Sequence, residues 1–108
     1  MAGAKLIVIY PRPTDIEAFD KAYLDEHVPM AVNNFADKTK IVATKFLGAA
    51  SGPAPFHVMA EVHFPSMEAL QACAASEAGK QTLAHGASIS TGGPPIVLIA
   101  EEQVFNFD

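Results

Sequence analysis

Hydrophobic and polar positions follow the patterns of β-strands in four separate places along the chain. Residues 6–9 (Leu-Ile-Val-Ile) and 96–99 (Ile-Val-Leu-Ile) are apolar throughout, whereas residues 57–64 alternate between polar and apolar side chains. Alternation is typical of a strand with two different faces, and an unbroken apolar run is typical of a strand buried on both faces. Together with composition, these patterns predict strands at residues 5–10, 40–47, 57–64 and 96 to about 104.

The segment after the first strand carries the signals of a helix. Thr14 and Glu17 have the spacing of a capping box, in which a hydroxyl and a carboxylate satisfy free backbone amides. We therefore expect a helix from residue 15 to 26 or 27. Pro29 lacks a backbone N–H and should end or kink this helix, leaving residues 32–38 irregular.

A second helix is predicted after the third strand. Ser66 should cap residues 67–75, and the helix should continue after a break through residues 77 to about 85. Segment 48–55, which is built of small residues, and segment 86–95 both contain several Gly and Pro residues. Both are therefore expected to be flexible connections.

The order of these elements is β-α-β-β-α-β, which predicts an α+β ferredoxin-like fold with an antiparallel four-stranded sheet. Two helices cover only one face of such a sheet. The first and last strands are nevertheless apolar on both faces, so something else must cover the second face. We expect a homodimer in which two sheets pack face to face into a barrel.

Length and composition limit the classes of function. The 108 residues fit a single domain (1–108), and half of them are hydrophobic, which suffices for a core without disulfides or structural metal. The net charge is −5 without a block of like charges, which argues against nucleic acid and anionic membranes as partners. No metal-ligand motif or phosphate loop is present, so neither a metal nor a cofactor is expected.

The single cysteine and the length of the apolar runs indicate the expected cellular compartment. Cys73 cannot form an internal disulfide, and with no signal-peptide pattern this favours the cytoplasm. Cys73 also lies on an apolar helical stripe, where a packed and unreactive thiol is expected. The apolar runs are much shorter than the roughly 20 residues that span a bilayer.

The clearest candidate chemistry lies on the first helix. Phe19, Tyr23 and His27 recur every four residues, so a helix directs them toward the interior on one face. A neutral imidazole can abstract a proton next to a carbonyl, and a phenol can donate a hydrogen bond to the resulting oxyanion. The alternative is structural: His27 is a buried, hydrogen-bonded histidine that ties the helix end to the sheet together with Tyr23.

Polar residues of the third strand form a second candidate set. Strict alternation places His57, Glu61 and His63 on one face, nearly 7 Å from one same-face residue to the next, too far apart to chelate one metal ion. If that face points toward the helices, Glu61 and His63 could meet His27; otherwise they form a polar rim. His85, near the expected end of the second helix, should stabilise its negative end.

The chain resembles the EthD family, named for a protein of ethyl tert-butyl ether degradation. The resemblance rests on four segments: residues 6–13 (LIVIYPRP), the positions Phe19, Tyr23 and His27-Val28-Pro29, residues 60–69 (AEVHFPSMEA) and residues 76–79 (SEAG). Membership implies one EthD-like domain and a dimeric α+β barrel. It implies little about activity, because many members have no assigned reaction.

The resemblance also implies roles for some residues. Relatives on this fold act on small aromatic, lactone or polyketide-like compounds as isomerases, cyclases or decarboxylases. A methylmuconolactone-isomerising relative uses a histidine matching His27 and a cysteine where this chain has Val62, and Cys73 does not replace that cysteine. The chain thus departs from that mechanism.

Two functional hypotheses follow. In the first, the protein is linked to degradation of small organic compounds and is a cofactor-independent isomerase, cyclase or lyase. His27 is then the acid or base and Tyr23 the oxyanion donor, while Phe19, Glu61 and His63 bind a small hydrophobic or aromatic substrate. In the second, the protein is a non-catalytic carrier of a hydrophobic intermediate.

Overall fold

The computed structural model describes residues 3–107 and confirms the predicted ferredoxin-like α+β fold. Its four antiparallel strands are arranged in the order β2-β3-β1-β4. None of the helices within residues 3–107 is long and apolar enough to cross a membrane. In chain order the elements are β1 (Gly3–Pro11), α1 (Ile16–Ala22), a π-helical turn (Tyr23–His27), α2 (Val28–Asn34), β2 (Lys40–Lys45), β3 (Phe56–Phe64), α3 (Met67–Ala75), α4 (Glu77–Ile89) and β4 (Ile96–Glu102).

The core lies between the helices and one face of the sheet. On β1, Leu6, Val8 and Tyr10 face the helices and are almost fully buried. Leu6 lies opposite Val62 of β3, and Val8 lies opposite Ala60, so the two central strands present one continuous apolar surface. Burial of these side chains is the main stabilising contribution, at about 25 cal/mol per Å² of apolar surface removed from water.

The first helical segment differs from the prediction at both ends. Asp15, rather than Thr14, is the N-cap: its carboxylate accepts a hydrogen bond from the Ala18 amide at 3.1 Å. The Thr14 amide instead donates to the Thr91 hydroxyl. The predicted capping box of Thr14 and Glu17 is therefore not formed, because Asp15 is the N-cap and the residue three positions later is Ala18.

Of the two outcomes predicted for Pro29, an end or a kink of the helix, the end does not occur. The backbone N–H of Val28 donates to the Tyr23 carbonyl, five residues back, which defines the π-helical turn. Pro29 then falls in the first turn of α2, where a missing N–H costs little. The chain consequently stays helical through Asn34, within the segment expected to be irregular.

The second helical region agrees more closely with the sequence. The Ser66 hydroxyl accepts a hydrogen bond from the Ala69 amide, and Ser76 provides the predicted break by capping α4 through the Gly79 amide. Cys73 is buried as expected, and burial raises the pKa of its thiol. The helix continues to Ile89, however, beyond the predicted end.

Within residues 3–107, no helix covers the second face of the sheet. Lys5, Ile7 and Ile9 of β1 point to this open face, as do Ile96 and Leu98, which β4 places beside them. The side chains of β4 that point to the helix side are also exposed: Val97 and Ile99 retain 47% and 56% of their accessible surface. Both faces of β4 are therefore apolar and accessible in the single chain.

The junction of α3 and α4 leads to a test of packing. A Cβ at Gly79 would overlap the Cys73 carbonyl oxygen, so this position requires glycine. We expect Gly79→Ala to reduce the free energy of unfolding by about 1–3 kcal/mol despite alanine's higher helix propensity. Gly48→Ala, where the nearest atom would be 3.9 Å away, serves as the control in urea unfolding. Equal stability of the two variants would contradict this packing.

Candidate active site

An aromatic cluster joins the first helical segment to the central strand. Phe19, Tyr23 and His27 all face the sheet, as predicted, and are 3%, 5% and 8% exposed. The rings of Phe19 and Tyr23 stack with centroids 5.6 Å apart, and Tyr10 of β1 meets both rings edge to face. This packing fixes the direction in which His27 points.

His27 is held by hydrogen-bonding partners at both ring nitrogens. Its Nε2 lies 3.3 Å from the Tyr10 hydroxyl, and its Nδ1 lies 3.0 Å from Nδ1 of His85 on α4. The two imidazole planes differ by 12°, and their centroids are 5.2 Å apart. The distance between the ring centroids is longer than the Nδ1–Nδ1 distance by roughly the sum of the two ring radii. The two imidazoles therefore meet edge to edge along the hydrogen bond rather than face to face.

Burial sets the protonation states in this cluster. Desolvation, followed by the nearby His85, lowers the pKa of His27 to about 4. Burial also raises the pKa of both Tyr10 and Tyr23. At neutral pH the cluster therefore holds an unprotonated imidazole beside protonated phenols, the arrangement that general base catalysis with hydrogen-bond donation to an oxyanion requires.

Gly86 permits helix α4 to approach this cluster. A Cβ at this position would lie 2.7 Å from the Tyr10 hydroxyl and 3.1 Å from His27 Cε1. Any larger residue would push α4 away and lengthen the contact between His27 and His85. The glycine is thus part of the site although it carries no functional group.

Two cavities lie beside the cluster, and Tyr23 lines both. The inner pocket, lined by His27, Tyr10 and apolar side chains, has a volume of about 30 Å³ and has room for about two water molecules. The outer cleft, between the helix and β2, has a volume of about 150 Å³ and is mainly apolar. Phe19 packs behind these rings instead of lining the two cavities.

His57 does not share a face with Glu61 and His63, contrary to the prediction. The pairing of β1 with β3 shifts between Tyr10 and Pro11, so His57 is an extra residue in a β-bulge. The bulge directs His57 toward the helices, where its Nε2 lies 2.7 Å from the Asp20 carboxylate.

The pair of His57 and Asp20 lies at one side of the outer cleft. Lys45 on β2 is 3.4 Å from the same carboxylate. Burial raises the pKa of Asp20, but His57 and Lys45 outweigh it and lower the value overall. Asp20 therefore stays ionised, and its partner is His57 rather than His27.

Glu61 and His63 lie on the open face of the sheet, so of the two arrangements that the sequence left open they form the polar one and do not meet His27. Lys5 bridges Glu61 at 2.6 Å and Glu102 at 2.9 Å, and these carboxylates raise the pKa of the Lys5 amine. His63 is 3.8 Å from Glu102. The sheet separates this cluster from the inner pocket.

The same cluster has some geometric features of a metal site. Glu61, His63 and Glu102 can each offer a ligand atom, and these atoms lie within 4.8 Å of one another. The Lys5 ammonium group already compensates the two carboxylates, and a divalent cation would have to displace it. The cluster is best described as a polar network near one end of the open face, beside the apolar side chains of Ile7 and Leu98.

Sequence reasoning missed three residues of the site: Tyr10, His85 and Gly86. His85 was expected to stabilise a helix end, but α4 extends to Ile89 and leaves His85 inside the helix, facing His27. The signal for Tyr10 was its place in the alternation of β1, which puts it on the same face as Leu6 and Val8. No sequence pattern indicates that residues 17 and 58 positions from His27 contact it.

Comparison with known proteins identifies the family. The model of the EthD domain matches residues 11–88, most of the chain. The chain belongs to the EthD family. It is 31% identical over 101 residues to an uncharacterized 11.0 kDa protein in the thcB–thcC intergenic region of Rhodococcus erythropolis, with coverage of 93% of this chain and 96% of that relative.

Solved structures agree with this assignment. An ethyl tert-butyl ether degradation (EthD) family protein from Bacillus halodurans superimposes with a TM-score of 0.86 at 27% identity, covering 95% of this chain and all of the other. Two more distant structures share the fold. One is a hydroxynitrile lyase from Passiflora edulis (TM-score 0.69, 15% identity, coverage 96% and 97%). The other is a dimeric ferredoxin-like protein of unknown function from Bacteroides fragilis (0.65, 12%, 93% and 96%).

The low pKa of His27 has a consequence for stability. The unfolded chain binds a proton at His27 near the usual pKa of about 6.5, whereas the folded chain does so only near 4. The neutral His27 ring contributes fully to the free energy of unfolding above pH 6.5. As the pH falls toward 4, about 3 kcal/mol of that free energy is lost, because the unfolded chain takes up the proton first. We expect wild-type protein to lose more unfolding free energy over this range than His27→Gln.

Urea unfolding at several pH values measures this difference. Gly48→Ala, which changes no titratable group and meets no atom closer than 3.9 Å, should retain the wild-type pH dependence. If His27→Gln and wild-type protein had parallel stability profiles between pH 6.5 and 4, His27 would not be buried as a neutral group.

Proposed function

We propose that this EthD-family protein is a cofactor-independent enzyme that transfers protons during the breakdown of a small organic compound. The reaction class is isomerisation, cyclisation or lyase chemistry, with His27 as the acid or base. The observation that carries this proposal is the buried His27 imidazole, held between Tyr10 and His85 beside an apolar pocket. The single cysteine supports the cytoplasm as the proposed compartment.

Each group has a definite task in this proposal. His27 removes a proton from a carbon next to a carbonyl group and later returns it to another atom of the substrate. The hydroxyls of Tyr10 and Tyr23 donate hydrogen bonds to the oxygen on which negative charge develops. Both phenols can do so because burial keeps them protonated.

The outer cleft is the proposed site for the body of the substrate. Its walls include Leu24 and Val58, which suit a small hydrophobic or aromatic group. Because Tyr23 lines both cavities, a substrate reaches His27 when this ring moves aside. The same apolar cleft also fits the alternative of a carrier, which needs the cavity but not the His27 proton.

Hydrogen–deuterium exchange distinguishes an enzyme from a carrier. Small aromatic ketones and lactones are incubated with the protein in D2O, and loss of the signal from protons next to the carbonyl is followed by ¹H NMR. We expect wild-type protein to accelerate exchange for a compound that it binds. His27→Gln should slow this exchange by about 10²–10⁴-fold at similar affinity, because it removes the base.

His63→Gln is the matched control, since it changes a histidine on the open face and should leave exchange unchanged. Binding of a compound with equal exchange in wild-type protein and His27→Gln would favour the carrier. A fall in melting temperature without any change in binding or exchange would instead assign His27 a structural role.

We further propose that the protein acts as a homodimer formed through the open face of the sheet. Ile96 and Leu98 expose 40% and 47% of their surface there, an arrangement that costs free energy unless a partner covers it. The fold relative from Bacteroides fragilis is described as dimeric, which supports the proposal. Lys5 and its carboxylate partners would lie within the interface and restrict how the two sheets align.

Adjacent positions on β4 provide a matched test of this interface. We expect Leu98→Glu, on the open face, to convert the dimer to a monomer in sedimentation velocity experiments, because it places a charge in an apolar interface. Ile99→Glu, exposed on the opposite face of the same strand, should remain dimeric. Dissociation by Ile99→Glu but not by Leu98→Glu would contradict the proposal, because the interface would then lie on the helix side of β4.

A further inference from the structure

We propose that Glu26 and His85 form a proton relay that connects His27 to solvent, with His85 as a positioning residue. This inference rests on the proposed acid–base role of His27. It concerns how the buried imidazole exchanges protons with water, which neither the family assignment nor the relatives address.

A continuous series of polar contacts leads from the surface to the core. Glu26 is 65% exposed, and its Oε1 lies 3.6 Å from Nε2 of His85. Nδ1 of His85 lies 3.0 Å from Nδ1 of His27, whose Nε2 lies 3.3 Å from the Tyr10 hydroxyl. Exposure falls along this path to 21% for the His85 side chain, 8% for His27 and 1% for Tyr10.

The Glu26 carboxylate lies 3.6 Å from Nε2 of His85, which is longer than a hydrogen bond, so it acts on His85 through its charge. That negative charge favours the tautomer in which His85 carries its proton on the nearer nitrogen, Nε2, and leaves Nδ1 as an acceptor. His27 must then carry its proton on Nδ1 and donate it to His85. Its Nε2 is therefore the basic nitrogen, and the Tyr10 hydroxyl donates to it in the resting state.

The relay balances when His27 acts as a base. The Tyr10 hydroxyl turns to donate to the substrate oxygen, and Nε2 of His27 takes the proton from carbon. The Nδ1 proton of His27 passes to Nδ1 of His85. The Nε2 proton of His85 passes to the Glu26 carboxylate once that exposed side chain moves from 3.6 Å to hydrogen-bond distance, and then to water. Each imidazole ends neutral in the opposite tautomer, and the reverse transfers restore the resting state.

The packing of α4 supports a functional contact between these two histidines. Desolvation and, after it, the neighbouring His85 oppose protonation of His27, and the two Nδ1 atoms lie at hydrogen-bond distance. The other titratable groups facing His27 are Tyr10 and Tyr23, both of which burial keeps neutral. Gly86 allows α4 close enough for the short contact between the imidazole rings.

The ring tautomers can be measured without any substrate. Protein labelled with ¹⁵N at histidine is examined by ¹H–¹⁵N NMR at neutral pH, where protonated and unprotonated ring nitrogens have well-separated ¹⁵N shifts. We expect His27 to be protonated at Nδ1 and His85 at Nε2. Glu26→Gln should shift both patterns toward a tautomer mixture, because an amide can both donate and accept.

Asp25→Asn is the matched control, since it neutralises the neighbouring exposed carboxylate of the same π-helical turn. It should leave both tautomers as in wild-type protein. Protonation of wild-type His27 at Nε2, or equal effects of Glu26→Gln and Asp25→Asn, would overturn the relay. Either result stands whether or not the protein is an enzyme.

A kinetic measurement links the relay to turnover. For a compound that wild-type protein exchanges in D2O, His85→Gln should lower kcat while KM stays unchanged, because glutamine accepts a hydrogen bond but passes on no proton. A purely structural role for His85 would instead lower the melting temperature and raise KM. If wild-type protein exchanges no compound but shows the expected tautomers, the proposed function fails and the hydrogen-bonded series remains.

Discussion

The contact between Tyr10 and His27 is the interaction on which the site depends. It joins the central strand β1 to the π-helical turn and places a basic nitrogen against a buried hydroxyl at 3.3 Å. The neighbouring rings of Phe19 and Tyr23 hold the helix face in place. Gly86 lets α4 add His85 from the other side. Without this contact, the His27 ring would no longer be oriented beside the inner pocket and would lose the burial that keeps it neutral.

The two faces of the sheet serve different purposes. The face toward the helices buries Leu6, Val8 and Tyr10 and supports the candidate active site. The open face carries the ion pairs of Lys5 within an apolar surround, and β4 remains accessible on both sides. The proposed chemistry and the proposed association can therefore be tested by separate substitutions, which makes the two proposals independent.

The sequence predicted those features that depend on local periodicity. The strands, both helical regions, the break at Ser76 and the inward direction of Phe19, Tyr23 and His27 all follow from spacing. The errors arose where one residue changes the period. The π-helical turn comes just before Pro29, so that Pro29 falls in the first turn of α2 and the helix continues. The β-bulge turns His57 away from the face that alternation assigned to it. The partners of His27 come from distant parts of the chain, so only the folded structure brings Tyr10 and His85 to it.

His27 can act as a base only if folding places it as a neutral imidazole beside Tyr10 and His85. The most direct test is an NMR titration of the His27 ring in the native protein, with each histidine assigned by substitution. We expect a midpoint near pH 4, because burial and His85 both oppose protonation. A midpoint near the ordinary value of about 6.5, or above it, would contradict the account and leave His27 as a solvent-accessible or ion-paired histidine.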